Sequence, residues 1–237
     1  MITLIRFAPA FGVPDPSPFG IKVEVLLKLA GLPYQSEIAG NPARGPKGKL
    51  PAIRDEGVLI GDSELIRGYL EQRYKLDLDQ GLDPAARATA HAFARMLEER
   101  TYWAVVYSRW IDNWPTLRAA FFDTLPPVVR TLVPLVAQRK VRGYLHAHGL
   151  GRHSRDEIYA MAVRDIRAVA TQLADTPYFM GATASSADAT VYGVMASIMD
   201  AEIPSPLKDE ALRHANLVAY NARLRERFYS APAAAAA

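Results

Sequence analysis

The sequence predicts an α/β domain followed by an all-helical domain, and two observations carry that prediction. Short apolar segments and helical patterns alternate in the first part of the chain, in the order strand, helix, strand, strand, strand, helix. A linker from Leu76 to Pro84 is rich in Asp, and beyond it apolar residues recur only at helical spacing. The predicted domains are therefore 1–78 and 84–230, followed by a low-complexity tail of Ala and Pro at 231–237.

The first predicted domain begins with a strand at 2–7 and continues into a loop of Pro and Gly that cannot extend the sheet. Ser17 is a suitable N-cap and Pro18 suits the first helical position, so a helix follows and ends at Gly31. The remaining elements are strands over 34–38, 50–53 and 58–60, the last two forming a hairpin, and a helix from Ser63.

The second predicted domain consists of helices separated by Pro and Gly. Their predicted ranges are 85–114, 116–124, 127–148, 155–174, 187–200 and 208–229. Ser185 and Asp188 have the spacing of a capping box, and we expect them to stabilise the fold rather than to take part in catalysis.

Composition excludes several classes of function. The 237 residues include no cysteine, which removes every mechanism that uses a protein thiol. The net charge of +3 is spread along the chain, and the basic residues Arg139, Lys140 and Arg142 near Arg130 are interpreted as a solvated helix face. We therefore expect no nucleic-acid partner.

The sequence also predicts neither a metal site nor a membrane partner. Among the five histidines only His146 and His148 lie close together, and on a helix they point in different directions. No window approaches about 18 uninterrupted apolar residues, and Arg6 interrupts the first apolar segment too early for a signal peptide. We expect a cytoplasmic protein.

Four local motifs, in this order of elements, resemble those of the glutathione transferase superfamily. They are Ser17-Pro18-Phe19, Gly48-Lys49-Leu50-Pro51-Ala52-Ile53, Gly61-Asp62-Ser63-Glu64-Leu65-Ile66 and Ser185-Ser186-Ala187-Asp188. The resemblance spans nearly the whole chain and implies a thioredoxin-like N-terminal domain followed by an all-helical C-terminal domain of the glutathione transferase type. Pro46 to Pro51, together with Tyr107-Ser108-Arg109-Trp110, look most like the failed-axon-connections and metaxin-like branch, whose members are not uniformly working transferases.

The resemblance implies that Ser17 is the catalytic residue, because family members place Ser, Cys or Tyr there to contact the glutathione sulfur. A thiol has a pKa of about 8.5, so lowering it by one or two units requires stabilising the thiolate by roughly 1.4–3 kcal/mol. A hydroxyl beside the positive end of a helix dipole suits that task. The structural alternative is that Ser17 only caps its helix.

The resemblance also implies which residues bind the rest of glutathione. Pro51, if cis as in the family, turns the Leu50 backbone toward the cysteinyl part of the ligand in the manner of an added strand. Ser63 would receive the γ-glutamyl carboxylate, Asp62 the ammonium group, and Lys49 the glycyl carboxylate. The alternatives are a trans proline on an edge strand, a Ser63 that only caps a helix, and a solvated lysine.

An aromatic series, Trp103, Tyr107, Trp110 and Trp114, recurs at the spacing of one helical face. Such a stripe is typical of a core, and that alternative stays open. The family architecture nevertheless sets this helix beside the thiol, which implies a hydrophobic co-substrate site. Its predicted lining residues are Phe7, Phe11, Tyr102, Trp103, Tyr107 and Trp110.

The predicted function is that of a glutathione transferase, which binds glutathione as co-substrate and conjugates its thiolate to a hydrophobic electrophile, as in detoxification. Two alternatives remain: a non-catalytic binding or scaffold module of the metaxin-like type, and a glutathione-dependent lyase or isomerase. The sequence leaves open both the identity of the electrophile and the choice between monomer and homodimer.

Overall fold

The structure is a computed structural model that describes residues 1–123 and 125–230. The predicted tail at 231–237 and Thr124, the last residue of one predicted helix, lie outside the described residues. The predicted fold class is confirmed, because a sheet with helices is followed by a part in which all named elements of the described residues are helical.

The first part contains a four-stranded mixed sheet. Its strands are β1 (Ile2–Arg6), β2 (Tyr34–Ile38), β3 (Ala52–Asp55) and β4 (Val58–Gly61). Their order across the sheet is β2-β1-β3-β4, with β1 and β2 parallel and the other pairs antiparallel. Along the chain the strands and the two helices of this part follow the order strand, helix, strand, strand, strand, helix, as the sequence predicts.

Helices α1 (Pro18–Leu29) and α2 (Ser63–Tyr74) cover one face of the sheet. The apolar cluster between them and the strands consists of Ile2, Leu4, Val23, Leu27, Ile53, Ile66 and Leu70. A smaller cluster joins Ile5, Leu50 and Ala52. Because β1 lies at the centre of the sheet, all five of its residues are buried.

The second part is built from helices that begin after the linker. They are α3 (Pro84–Met96), α4 (Tyr102–Tyr107), α5 (Trp114–Phe122), α6 (Pro127–His148), α7 (Arg155–Leu173), α8 (Ser186–Met199), α9 (Pro206–Leu212) and α10 (Ala215–Tyr229). Among the described residues, no helix is long and apolar enough to cross a membrane.

The predicted helix over 85–114 is largely confirmed, because the backbone stays helical from Pro84 to Asp112 and breaks at Asn113. Within it, two π-helical segments, Leu97–Thr101 and Ser108–Asp112, flank α4. At the end of the second segment the Asn113 N–H donates to the Ser108 carbonyl, 2.9 Å away and five residues back. Each π turn departs from the 3.6-residue period, which the spacing of apolar residues in the sequence does not show.

The predicted helix over 208–229 is wrong, because His214 adopts an extended conformation (φ −96°, ψ 100°) between α9 and α10. The break lets each helix bury its own apolar residues, Leu207 and Ala211 in α9 and Leu217 and Leu224 in α10. Neither Gly nor Pro marks this position, so periodicity alone could not show it.

Helix α8 joins the two parts of the molecule. Every one of its residues is buried, and it packs along α1. Gly193 makes the close approach possible, since a Cβ there would lie 2.6 Å from the Pro18 carbonyl oxygen. The second part therefore supports the start of α1, where Ser17 lies.

Candidate functional site

The strand pairing brings three predicted binding segments to one end of the sheet. Ala52 pairs with Ile5 of β1 on one side and with Gly61 of β4 on the other. The loop that leads to Ser17 follows β1, Pro51 immediately precedes Ala52, and the amino end of α2 follows β4. Residues that are far apart in the sequence therefore meet at this end.

Ser17 precedes α1 with extended backbone angles (φ −90°, ψ 123°). Its carbonyl accepts hydrogen bonds from the N–H groups of Gly20 at 3.0 Å and Ile21 at 3.3 Å, as expected of the N-cap. Its hydroxyl makes no capping bond, so the alternative of a side chain used only to cap the helix does not apply. The half-buried Ser17 side chain remains available to a ligand.

Asp15, two residues before Ser17, is fully buried. Its Oδ1 accepts a 2.7 Å hydrogen bond from the Ser17 N–H, whereas its Oδ2 has no hydrogen-bond partner among the described residues. The nearest cationic atom is Arg6 Nε, 3.9 Å from Oδ2. Burial raises the pKa of Asp15 to about 7, against the opposing effects of the Ser17 N–H and Arg6. A Cβ at Gly20 would lie 1.9 Å from Oδ2, so any larger residue there would displace the Asp15 carboxyl group.

A buried hydrogen-bond network around Arg6 and Glu24 holds the loop before Ser17 in place. Arg6 donates to the Pro14 carbonyl and to Glu24 Oε2, the latter at 2.6 Å. Glu24 also accepts hydrogen bonds from the hydroxyls of Tyr34 at 2.7 Å and Tyr229 at 2.9 Å. Burial opposes the charge of Glu24, but Arg6 and the other donors hold its pKa below the usual carboxylate value. Through Tyr229 the network reaches α10.

Arg109 holds the same loop from the second part of the molecule. Its guanidinium donates to the Pro16 carbonyl and, at 2.7 and 2.8 Å, to the carbonyl and hydroxyl oxygens of Ser197 in α8. These acceptors are neutral, and Arg109 forms no ion pair with any described carboxylate. Burial lowers the pKa of Arg109 to about 10, which leaves it cationic at neutral pH. The buried, positively charged guanidinium of Arg109 therefore donates to the carbonyl of the peptide bond that joins Pro16 to Ser17.

The Leu50–Pro51 peptide bond is cis, as the resemblance implies. Leu50 and Pro51 are buried, while Lys49 is exposed in an extended conformation. Gly45 lets the preceding loop fold tightly, because a Cβ there would lie 2.3 Å from the Lys49 carbonyl oxygen. Contact of the Leu50 backbone and of the Lys49 ammonium group with a ligand stays a prediction.

Asp62, rather than Ser63, caps α2. Asp62 has a positive φ of 80°, and its Oδ1 accepts from the N–H groups of Glu64 at 3.0 Å and Leu65 at 3.3 Å. The alternative that Ser63 only caps the helix is therefore wrong, since Ser63 is the buried first residue of α2. Capping engages only Oδ1 of Asp62, which leaves Oδ2 for a ligand ammonium group.

Near the amino end of α2, the buried Lys22 of α1 forms hydrogen bonds to α2 and to the first π segment. Lys22 donates to Glu64 and, at 2.6 Å, to Glu98. Arg95 donates to Glu98 at 2.6 Å, and the Thr190 hydroxyl of α8 adds a 3.2 Å bond to the same residue. Burial opposes the charge of Glu64, but Lys22 and Arg95 keep its pKa low. The network fixes the amino end of α2 against the second part of the molecule.

Comparison with known proteins agrees with this arrangement. The family profile for the glutathione S-transferase N-terminal domain matches residues 18–115, and that for the glutathione S-transferase C-terminal domain matches residues 162–224. The isoprene-epoxide–glutathione S-transferase of Rhodococcus sp. (strain AD45) is 31% identical over 96% of this chain and 99% of its own length. The chain belongs to the glutathione S-transferase superfamily.

Other relatives confirm the resemblance to a particular branch. Failed axon connections of Drosophila melanogaster is 29% identical over 97% of this chain, which spans 58% of that protein. Metaxin-1 of Mus musculus is 26% identical over 92% of this chain and 72% of its own length. Among solved structures, a Ceriporiopsis subvermispora glutathione S-transferase in complex with glutathione has a TM-score of 0.66 at 21% identity, covering 98% of this chain and 99% of that chain.

In this superfamily member, two of the predicted co-substrate residues lie beside the Ser17 loop. Phe11 lies in that loop, packs edge-on against Phe121 at 5.5 Å between ring centroids, and lies 5.7 Å from the Arg109 guanidinium. Tyr102 packs edge-on against Phe19 of α1 at 4.8 Å. These contacts place aromatic surface from both parts of the molecule near the start of α1.

The other predicted co-substrate residues have different surroundings. Phe7 packs against the cluster that contains Leu50. In the second part the ring pairs are Trp103 stacked on His148 at 4.8 Å, Tyr107 edge-on to Tyr159 at 6.1 Å, and Trp110 stacked on Trp114 at 5.8 Å. The rings of Trp103, Tyr107 and Trp110 are only half-buried, and their role in co-substrate binding stays a prediction.

Sequence reasoning missed Asp15 and Arg109. Asp15 lies among the prolines of an irregular loop, and the sequence marks Arg109 only as part of the motif Tyr107-Ser108-Arg109-Trp110. The available signal was an Arg between apolar and aromatic residues of the predicted helix over 85–114, because a cation that becomes buried there needs a specific partner.

Within the part of the chain that the structure describes, no group of His, Asp and Glu residues is arranged to hold a metal ion. A cavity of about 240 Å³ lies between α2, α3 and α8, lined by charged residues that include Glu64, Arg67, Asp79 and Arg87. Those four charges pair with one another or with neighbouring residues, and the cavity does not include Ser17 or Leu50.

Proposed function

We propose that this protein binds glutathione and conjugates its thiolate to a small, apolar electrophile, with Ser17 as the hydrogen-bond donor to the sulfur. The similarity to a protein named isoprene-epoxide–glutathione S-transferase, over nearly the full length of both chains, supports this activity and favours an epoxide as the electrophile. In that reaction the sulfur–carbon bond forms as one carbon–oxygen bond of the epoxide breaks, and the resulting alkoxide takes up a proton.

The observation that carries the proposal is the buried Arg109, which forms no ion pair with a carboxylate among the described residues. Its guanidinium is bonded to the Pro16 carbonyl, next to the residue that would contact the sulfur. A nearby positive charge lowers the pKa of a thiol, and its effect is larger where water is excluded. The Ser17 hydroxyl would add a hydrogen bond to the same thiolate.

The rest of glutathione would bind along the end of the sheet. The Leu50 backbone would pair with the cysteinyl residue as an added strand, with the cis Pro51 directing it outward. The amino end of α2 would receive the γ-glutamyl carboxylate at Ser63, and the free Oδ2 of Asp62 would accept from the ammonium group. Phe11 and Tyr102 would contact the apolar electrophile.

Two measurements on the full chain test the proposal. Calorimetry should detect glutathione binding, and the absorbance of the bound thiolate followed against pH should show a pKa below the value of about 8.5 for a free thiol. Arg109→Met should raise that pKa by about one unit or more, while Arg109→Lys, which keeps the charge, should raise it less. Arg164→Met, at an exposed arginine of α7, is the matched control.

The second candidate function is a non-catalytic binding or scaffold module. The similarity to Failed axon connections and Metaxin-1 favours it, because neither name denotes a transferase. The same experiments separate the two functions. Absence of glutathione binding at millimolar concentration would support the scaffold, and binding with an unshifted thiol pKa would remove the proposed role of Arg109.

A further inference from the structure

The helix α6 exposes an unusual combination of side chains. In the eight residues from Val129 to Val136, five large apolar side chains are exposed: Val129, Leu132, Val133, Leu135 and Val136. The exposed fractions reach 58% for Leu132, 61% for Leu135 and 67% for Val136. Contiguous exposed apolar surface of this kind marks an interaction site more often than isolated exposed residues do.

The same helix is positively charged along its exposed surface. Its 22 residues include no Asp or Glu, and Arg130, Arg139, Lys140 and Arg142 are all exposed. None of these four forms an ion pair with a carboxylate in the described ranges. Their charges are therefore available to an external partner.

Arg139 and Lys140 share the outward face of α6 with the exposed apolar residues. Leu132, Val136 and Lys140 follow one another at intervals of four residues, which places them in one row along the helix. Pro134 and Leu145 are buried on the opposite side, and the Gln138 side chain donates to the Trp110 carbonyl at 2.9 Å. The side that carries these residues faces the rest of the protein, whereas the outward apolar residues stay exposed in the part of the chain that the structure describes.

We propose that the outward face of α6 docks this protein onto a membrane surface that contains anionic lipids. Apolar side chains would enter the boundary between headgroups and acyl chains, and the long basic side chains would reach the phosphate groups beside them.

Charge complementarity selects this occupant over two others. A second copy of α6 packed on the same face would bring its own Arg139 and Lys140 against these, with no acidic residue on either helix to compensate. A nucleic acid would satisfy the cations but would leave Leu132, Leu135 and Val136 in contact with phosphate and water. An anionic lipid surface offers partners for both kinds of side chain.

The test is co-sedimentation of the full chain with vesicles of phosphatidylcholine alone or mixed with phosphatidylserine. We expect binding to the mixed vesicles and little to pure phosphatidylcholine. The double variants Leu132→Asp with Val136→Asp and Arg139→Glu with Lys140→Glu should each weaken binding about tenfold or more. Wild-type binding should also weaken at ~0.5 M salt, where charges are screened over a shorter distance.

Matched controls change similar residues on other helices. Leu212→Asp with Val218→Asp alters two exposed apolar residues of α9 and α10, and Lys75→Glu with Arg164→Glu alters two exposed basic residues that form no ion pair among the described residues. Both controls should bind the mixed vesicles as wild type does. Circular dichroism would show that every variant is folded.

Three results would overturn the proposal. The first is failure of the wild type to sediment with the mixed vesicles. The second is equal binding by the α6 variants and wild type. The third is a different occupant: tighter binding to a duplex oligonucleotide than to vesicles, or a dimer in solution that Leu132→Asp with Val136→Asp converts to a monomer. Glutathione binding lies at another site and is measured separately.

Discussion

Asp188 and Asp15 are buried carboxylates that each lie near the start of a helix, and they differ in the hydrogen bonds that they accept. Asp188, in the first turn of α8, accepts hydrogen bonds from the N–H groups of Phe179 and Ser185, both at 2.8 Å, and from the Tyr220 hydroxyl at 2.9 Å. Asp15, before α1, accepts one N–H from two residues further along the chain at 2.7 Å. Its second oxygen has no partner among the described residues.

This difference in hydrogen bonding distinguishes Asp188, which we expect to stabilise the fold, from Asp15, which lies at the candidate site. Buried polar atoms are nearly always hydrogen-bonded, and exceptions concentrate where a protein has a function besides folding. Burial raises the pKa of both carboxyl groups, but the donors around Asp188 oppose that effect on each of its oxygens. We therefore expect changes at Asp188 to affect stability, and changes around Asp15 to affect stability in a way that depends on pH.

The largest expected effect is that of Asp188→Ala. It would leave the N–H groups of Phe179 and Ser185 and the Tyr220 hydroxyl without their acceptor in a buried region. Each buried unsatisfied group costs about 1–3 kcal/mol, so the free energy of unfolding should fall by about 3–5 kcal/mol. Urea denaturation measures it, with Asp175→Ala at an exposed position as the control. A loss below about 1 kcal/mol would contradict the structural role.

Asp15→Asn should change how stability depends on pH. The pKa of Asp15 is raised from 3.8 to about 7, so the folded state favours the protonated carboxyl. Its contribution is therefore fully present below the ordinary pKa and is lost as pH rises through about 7. The free energy of unfolding of wild type, relative to Asp15→Asn, should fall by about 2–4 kcal/mol between acidic pH and pH 8.

The measurement is urea denaturation of both proteins at a series of pH values. Asparagine keeps an oxygen that can accept the Ser17 N–H, so the variant preserves the loop contact while removing the titration. Asp175→Asn provides an exposed control. Parallel curves for wild type and Asp15→Asn would show that Asp15 does not titrate in this range.

The sequence predicted the elements whose signals are local. Ser17 with Pro18 marked the start of α1, and Asp188 with Ser185 marked the start of α8, because capping residues act within one turn of their helix. The glutathione motif around Pro51 was found through the resemblance, and the cis bond there is confirmed. Spacing failed at His214, where the apolar period continues across a break that carries no Gly or Pro.

Partners that are distant in the sequence could not be predicted from it. Arg109 reaches Pro16 across 93 residues and Ser197 across 88 residues. The unpaired oxygen of Asp15 depends on the exact placement of Arg6, which only the folded chain fixes. Local propensity describes neither contact. The first arises from the packing of α8 and the second π segment against the start of α1, and the second joins the loop before α1 to the end of β1.

Ser63→Ala tests the candidate site away from both carboxylates. If the γ-glutamyl carboxylate binds at the amino end of α2, loss of the hydroxyl should weaken glutathione binding by about 1–3 kcal/mol, as expected for a hydrogen bond to a charged group. Calorimetry measures the affinity. Ser36→Ala, at an exposed position in β2, should leave it unchanged. An unaltered affinity in Ser63→Ala would place the carboxylate elsewhere.

The smallest expected effect, and the one closest to the chemistry, is that of Ser17→Ala. The Ser17 hydroxyl does not cap α1, so its removal should leave the free energy of unfolding nearly unchanged. If it donates to the sulfur, the pKa of bound glutathione should rise by about one to two units, and turnover near neutral pH should fall about tenfold to a hundredfold. Binding should change little, because the carboxylate anchors lie at α2 and Lys49.

The pH dependence of turnover distinguishes this role from a general disturbance of the loop. The loss in Ser17→Ala should shrink as pH rises past the raised pKa of the thiol, since the thiolate then forms without the hydroxyl. Ser17→Thr keeps a hydroxyl and should retain most of the activity. Stopped-flow absorbance of the thiolate against pH measures the pKa in each protein. Coincident titration curves for wild type and Ser17→Ala would leave Arg109 and the backbone N–H groups of the loop as the groups that act on the sulfur, because the buried cation remains beside Pro16 in both proteins.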